Sequence, residues 1–263
     1  MKILEQFIKG KKQDQNLCED GLYISNDFIA VIDGVTAKSK KTFYGKAGGR
    51  AAMEKSKEVI SSLAYDIDGE SAVELINNGI KTLYEGEPTG EAAACLMIYS
   101  KYKNEIWALG DCQCLINGEF FSDEKEIDRI LSDVRALVLE IARIEGADEE
   151  AFSENDPGRE YIMPILQKQH LLSNRNSKFG YGVLNGTPLK QGALKILKVK
   201  KGDEVVLASD GYPKIFTTLK ECEAYLAFTI ENNPLCDGEY RSTKGIVKGN
   251  SSFDDRTYIR FEV

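Results

Sequence analysis

Four carboxylates in this 263-residue chain stand where apolar strands give way to loops. Asp33-Gly34 closes the run Phe28-Ile29-Ala30-Val31-Ile32, and Asp210-Gly211 closes Val205-Val206-Leu207-Ala208-Ser209. Asp254-Asp255 precedes the last strand, and Asp111 interrupts the otherwise apolar "EIWALGDCQCLI". Two more acids, Glu19-Asp20, lie at the far end of the stretch that Asp33 closes. Taken singly, each Asp is an ordinary turn residue facing water. Repetition of the pattern after apolar strands points instead to one shared rim. Carboxylates with a backbone carbonyl, and no imidazole or thiolate, suit hard cations such as Mg²⁺ or Mn²⁺ ahead of Ca²⁺.

Local pairing sharpens this expectation. With Asn26 and Asp27 as the central residues of a two-residue hairpin, Ile24 faces Ile29 and Asp20 falls opposite Asp33. Directly opposed side chains sit roughly 5 Å apart, where like charges destabilise a sheet. Positive charge from elsewhere is required. The chain has one histidine, His170, in a polar Gln-Lys-Gln-His stretch, so histidine-rich metal sites are excluded and acid chemistry falls to carboxylates. Asp66-Ile67-Asp68-Gly69 is not an EF-hand loop, because the glycine is misplaced and the terminal glutamate is missing.

The elements that must position these acids follow from periodicity. Strands are expected over 2–8, 21–33, 92–99, 105–109, 112–121 (broken by an Asn117-Gly118 turn), 193–199, 204–209 and 257–263. Helices are expected over 45–64, 71–85 with a Ser71…Glu74 capping box, a long one whose start Asp123 with Glu126 suits and whose end Gly146 suits, 157–169 and 219–232. In the third of these, Ile127, Ile130, Leu131, Val134, Leu137, Val138 and Ile141 form the apolar stripe assigned to core packing. Strands in successive hairpins with helices between groups of them imply antiparallel sheets covered by helices, an α+β class.

Composition bounds the rest. A chain of this length buries roughly 75% of its unfolded surface, so disulfides are not needed for stability. Six scattered cysteines without a C-x-x-C pair read as reduced structural thiols. A net charge of −8 argues against nucleic-acid or anionic-membrane partners. The N-terminal MKILEQFIKGKK carries too many charges for a signal peptide, so a cytoplasmic location is expected.

The order of these motifs resembles the metal-dependent protein phosphatase family, type 2C. Glu19-Asp20, Ala30-Val31-Ile32-Asp33-Gly34, Thr89-Gly90-Glu91-Ala92-Ala93, Leu109-Gly110-Asp111-Cys112, Leu207-Ala208-Ser209-Asp210-Gly211 and Phe253-Asp254-Asp255-Arg256-Thr257 follow the family's sequence of pieces across nearly the whole chain. The resemblance implies an αββα sandwich spanning 1–263, with a variable flap at about 123–178. It also implies two ions, Mn²⁺ or Mg²⁺. Asp33 would bridge both, Gly34 would lend its carbonyl, Asp210 and Asp254 would hold one, and Asp20 with Glu19 would hold the other through water. Asp111 with Asp210 would match a weaker third-ion position. The implied activity is hydrolysis of phosphoserine and phosphothreonine on proteins by direct attack of a metal-bridging water, with Asp20, Asp33, Asp210 and Asp254 acting through it.

Three departures from the family pattern are visible. Gln15 stands where members usually carry a phosphate-holding arginine, which leaves Lys11 and Lys12 as candidates for the substrate phosphate. The segment after the first Asp-Gly is Val35-Thr36-Ala37, without the glycines and the histidine common there. Lys214 replaces an acid four residues after Asp210. The alternative reading is therefore a pseudophosphatase, the same fold serving as a regulatory binding module.

Overall fold

The computed structural model describes residues 1–36 and 41–263; Ala37, the end of the first Asp-Gly motif, falls outside them. In chain order the elements are β1 (Lys2–Lys9), β2 (Asp20–Ile24), β3 (Phe28–Gly34), β4 (Thr42–Phe43), β5 (Lys46–Ala47), α1 (Gly48–Ile60), α2 (Gly69–Lys81), β6 (Ala94–Ser100), β7 (Glu105–Leu109), β8 (Gln113–Ile116), β9 (Glu119–Ser122), α3 (Glu126–Ile144), α4 (Pro157–Leu166), β10 (Lys195–Lys198), β11 (Glu204–Ala208), α5 (Leu219–Asn232) and β12 (Arg256–Glu262). Two five-stranded antiparallel sheets result, ordered β1-β12-β11-β8-β9 and β10-β7-β6-β3-β2. The expected αββα architecture is present.

Strand alternation explains why β3 is apolar from Phe28 to Ile32. Ile29 and Val31 face the β1-β12-β11-β8-β9 sheet, where they meet Leu207, Ile259 and Phe261. Phe28, Ala30 and Ile32 face the other way, against α1 and α2. The β1-β12-β11-β8-β9 sheet is covered on its outer face by α5, with Val206, Ala208, Cys222, Leu226 and Tyr258 in one cluster. Both faces of each sheet are thus dry at the centre, and polar side chains on inward positions survive only at the rim.

Two local expectations are corrected. Asp68, not Ser71, caps α2: its carboxylate accepts from the Ser71 amide at 2.8 Å, and the Ser71 hydroxyl donates to it at 2.9 Å. On α3 the apolar stripe is rotated. Leu137 and Ile141 are exposed, while Leu131, Ser132, Arg135, Ala136 and Leu139 are buried. A buried, ion-paired arginine occupies the packed face, which a purely apolar period cannot anticipate. No helix among the described residues is long and apolar enough to cross a membrane.

Candidate metal centre

The β2–β3 hairpin has the register that puts acid opposite acid. The Ser25 amide donates to the Phe28 carbonyl at 2.8 Å, Ile24 pairs with Ile29, and Asp20 pairs with Asp33. Parity then directs both side chains inward: Gly21 lies against Met53 of α1, so Asp20 and Leu22 face the opposing sheet. From that sheet Thr257, on the inward side of β12, donates its hydroxyl to Asp20 Oδ2 at 3.0 Å. Ser209, just past β11, also bonds the Asp20 carboxyl. Asp210 follows Ser209 and comes within hydrogen-bonding reach of Asp33.

These three acids have no basic partner among the described residues, and their proton affinities show it. Burial, followed by repulsion from Asp210, Asp20 and Asp111, raises Asp33 well above the usual carboxylate range. Burial also raises Asp20, with Asp254 and Asp255 adding repulsion against the two hydroxyl bonds. Asp210, which opens onto the cleft, is pushed up to about 6 by desolvation and by Asp111 and Asp254.

The remaining acids are engaged. Asp254 receives Lys11 Nζ at 2.6 Å and a closer contact from Lys244; burial alone would raise its pKa, but the two ammonium groups hold it far below the ordinary value. Asp111 receives Lys125 Nζ at 2.5 Å and is likewise held low against its burial. Asp255 has a different task. Its oxygens accept from the backbone amides of Lys11 and Glu19 at 2.7 and 2.8 Å, which fixes the loop before β2. Glu19 accepts from the Thr36 hydroxyl at 2.7 Å, yet its Oε1 is buried with no hydrogen-bond partner among the described residues. Burial raises its pKa despite Thr36 and Lys11.

Gly34 ends β3 in close backbone packing. A Cβ there would sit 2.3 Å from the Gly49 carbonyl oxygen of α1 and 2.6 Å from that of Glu19. Backbone cannot yield as a side-chain tip does, so Gly34→Ala is expected to cost about 1–3 kcal/mol. A lowered urea midpoint with unchanged m-value is the check, and an unaltered midpoint contradicts the packing described.

Asp33, Gly34, Asp111, Asp210 and Asp254 line one cleft of about 1800 Å³, with Glu19 and Asp20 just behind it. Lys11 is not among the lining residues, though its amine reaches two of them, Asp254 and Thr36. Lys12 is exposed and makes no salt bridge among the described residues. Gln15 is exposed, its amide oxygen accepting from Gly10. Lys214 lines the cleft and lies over the Phe216 ring at 5.0 Å. Sequence reasoning missed Lys125, Lys244 and Arg159. Lys244 comes from "RSTKGIVKGNSS", a stretch with no periodicity to interpret. The one local cue for Lys125 was a cation at the N-cap of α3, where an acid or hydroxyl is favoured.

Do these donors fit divalent cations? Among the described residues no three acid, thiol or imidazole groups already stand at coordination spacing. The chemistry of the set nonetheless fits: oxygen-only donors, three unneutralised acids from both sheets, and an orphaned buried Glu19 oxygen.

No family model matches the sequence, and no curated protein sequence does. Solved structures do match in shape. The Mycobacterium tuberculosis serine/threonine phosphatase PstP/Ppp aligns over 99% of both chains at 16% identity with a TM-score of 0.50. The PstP catalytic domain in complex with two manganese ions covers 99% of this chain and 98% of its own at 15% and 0.51. MsPP, a PPM phosphatase from Mycobacterium smegmatis in complex with cacodylate, covers all of both chains at 13% and 0.50. Identities this low speak for architecture alone, and in architecture the chain has the fold of the PPM-type serine/threonine phosphatases.

Proposed function

We propose that this chain is a metal-dependent phosphoserine/phosphothreonine protein phosphatase that binds two Mn²⁺ or Mg²⁺ ions through Asp20, Asp33, Gly34, Asp210 and Asp254, with Glu19 behind them. The carrying observation is the convergence of Asp20, Asp33 and Asp210, from both sheets, on one end of the inter-sheet space without a basic partner among the described residues. Charge bookkeeping favours two ions. Among the described residues, seven carboxylates (Glu19, Asp20, Asp33, Asp111, Asp210, Asp254, Asp255) stand against three directly paired ammonium groups (Lys11, Lys125, Lys244), leaving four negative charges. Two divalent cations cancel them.

Divalent cations, when bound, supply acidification of a water and neutralisation of phosphoryl charge. The chain's residues do the rest. Asp255 and Thr36 hold the Glu19 loop, and Thr257 and Ser209 orient Asp20. Arg159 of α4 lines the cleft with Nη1 anchored on the Thr243 carbonyl at 2.5 Å, and its field reaches Asp254. We assign it to the substrate phosphate, for which a guanidinium fork is suited. A cleft of about 1800 Å³ exceeds the roughly 300–1,000 Å³ of small-ligand pockets and favours a phosphorylated protein segment as substrate. The α3–α4 pair beside it is the proposed flap.

The lysines on Asp254 and Asp111 favour the second reading, a fold whose ion positions are taken by ammonium groups and which serves as a binding module. Hydrolysis of a phosphoserine peptide decides between them. With millimolar Mn²⁺ turnover is expected, with EDTA none, and Arg159→Ala is expected to raise KM more than it lowers kcat. Absence of turnover under every divalent ion, with the protein folded, leaves the binding module.

A further inference from the structure

The two lysine-engaged acids differ in their access to water. Lys244 and Asp254 keep 25% and 27% of their side-chain surface exposed, so their contact is open to exchange with solvent ions. Lys125 and Asp111 keep 11% and 13%. Beyond the 2.5 Å contact with Asp111, Lys125 Nζ stands 5.4 Å from the Tyr181 ring centroid, over its face, and 3.9 Å from Asp128. Carboxylate on one side and aromatic face on the other make a built cation site, and the cation in it belongs to the chain. Asp111 in turn acts electrostatically on Asp33 and Asp210, so whatever neutralises Asp111 is part of the acidic centre.

We propose that the Lys125 ammonium is a tethered cation that takes the place of a third metal ion at Asp111 and, standing immediately before α3, ties the α3–α4 pair to the acidic centre. This rests on the two-ion reading above. An ion at Asp111 would have to displace an amine that is covalently held in place and only 11% exposed where it meets the cleft. The chain therefore takes up two ions and stops, and the start of α3 stays fixed whether or not the cleft is loaded.

Metal stoichiometry tests this without relying on activity. Mn²⁺ bound at equilibrium dialysis, measured by metal analysis and by loss of the free-ion paramagnetic resonance signal, is expected to reach two per wild-type chain. Lys125→Met is expected to bind three, and Lys125→Met with Asp111→Asn two again. Should Lys125→Met fail to fold, the wild-type chain still answers. Acetylation of Lys125, followed by mass spectrometry against exposed Lys12, is expected to stay slow and unchanged when Mn²⁺ is raised to large excess. Three ions on the wild-type chain, two on Lys125→Met, or Mn²⁺-accelerated labelling of Lys125 overturns the proposal while leaving the phosphatase reading intact. No Mn²⁺ on any chain overturns both.

Discussion

Replacing Asp33 by Asn is expected to abolish Mn²⁺-dependent phosphatase activity while making the metal-free protein more stable. The two effects share a cause. Asp33 sits between Asp20, its register partner, and Asp210, and in the metal-free chain this proximity is unfavourable. An amide of the same shape removes one of the repelling charges and replaces one of the two oxygens that β3 directs at the centre. Even outer contacts to a metal site are worth about 10–100-fold, so loss of this ligand is expected to lower kcat/KM by at least about a hundredfold. A thermal scan supplies the second half. Saturating Mn²⁺ at about a hundred times Kd stabilises by about 2.7 kcal/mol, a gain expected for the wild type and absent in Asp33→Asn. Equal Mn²⁺ stabilisation of the two chains would remove Asp33 from the site.

The pH dependence of the metal-free wild type follows from the same repulsion. An acid that holds its proton more tightly folded than unfolded adds stability while protonated and loses it as pH rises. Asp210, near the ordinary value of about 3.9 in the unfolded chain and about 6 in the folded one, contributes fully below pH 4 and nothing well above pH 6. Asp20 and Asp33 shift in the same direction. Asp254 and Asp111 are held low instead; their contribution is present above the ordinary carboxylate range and is lost only as pH falls below it. Between pH 4 and 6, then, acidification is expected to stabilise the metal-free chain, and added Mn²⁺ to flatten the slope.

Arg135→Ala is expected to cost about 3–5 kcal/mol, the cost of breaking a buried ion pair and leaving its partner stranded. The side chain is wholly buried in α3. Its Nε donates to Asp156 at 2.8 Å, and Nη1 donates to the carbonyls of Leu235 and Ser242 at 2.7 and 3.0 Å. Asp156 is itself the cap of α4, accepting from the Arg159 amide at 2.7 Å. One guanidinium thus joins α3, the start of α4 and the loop that carries Lys244 to Asp254. At 2–4 °C per kcal/mol for a chain of this size, calorimetry is expected to show a fall of about 10 °C. Arg129→Ala provides the contrast. Its pairs with Glu126 and Asp133 lie on the surface, and less than about 1 kcal/mol is expected. Comparable losses in the two variants would contradict the role given to Arg135.

What the sequence made legible was the sheet and its acids, for a physical reason. β3 and β11 are buried on both faces, which leaves a continuous apolar run, and the two-residue Asn26-Asp27 turn fixes register by counting alone. Asp20 opposite Asp33 therefore follows from one hairpin. The lysines do not follow from anything local. Lys125 meets Asp111 across 14 residues and Lys11 meets Asp254 across 243, and no periodicity records a contact made by loops after the sheets have closed. Arg135 was obscured for the opposite reason, since a charged residue in a regular amphipathic helix ordinarily belongs to the solvent face. The cap of α2 was missed by three residues because Ser71 and Asp68 are both good caps, and Asp68 stands first in the chain.

All six cysteines lie inside the protein, where desolvation pushes Cys18 up to about 12 and Cys222 up to about 11. Peroxide and electrophiles attack sulfur as the thiolate, which the folded chain does not offer near neutral pH. Oxidative damage is thereby confined to molecules that have opened. In those, six nucleophiles become available together, so the wear on a population of this protein measures how often its members unfold.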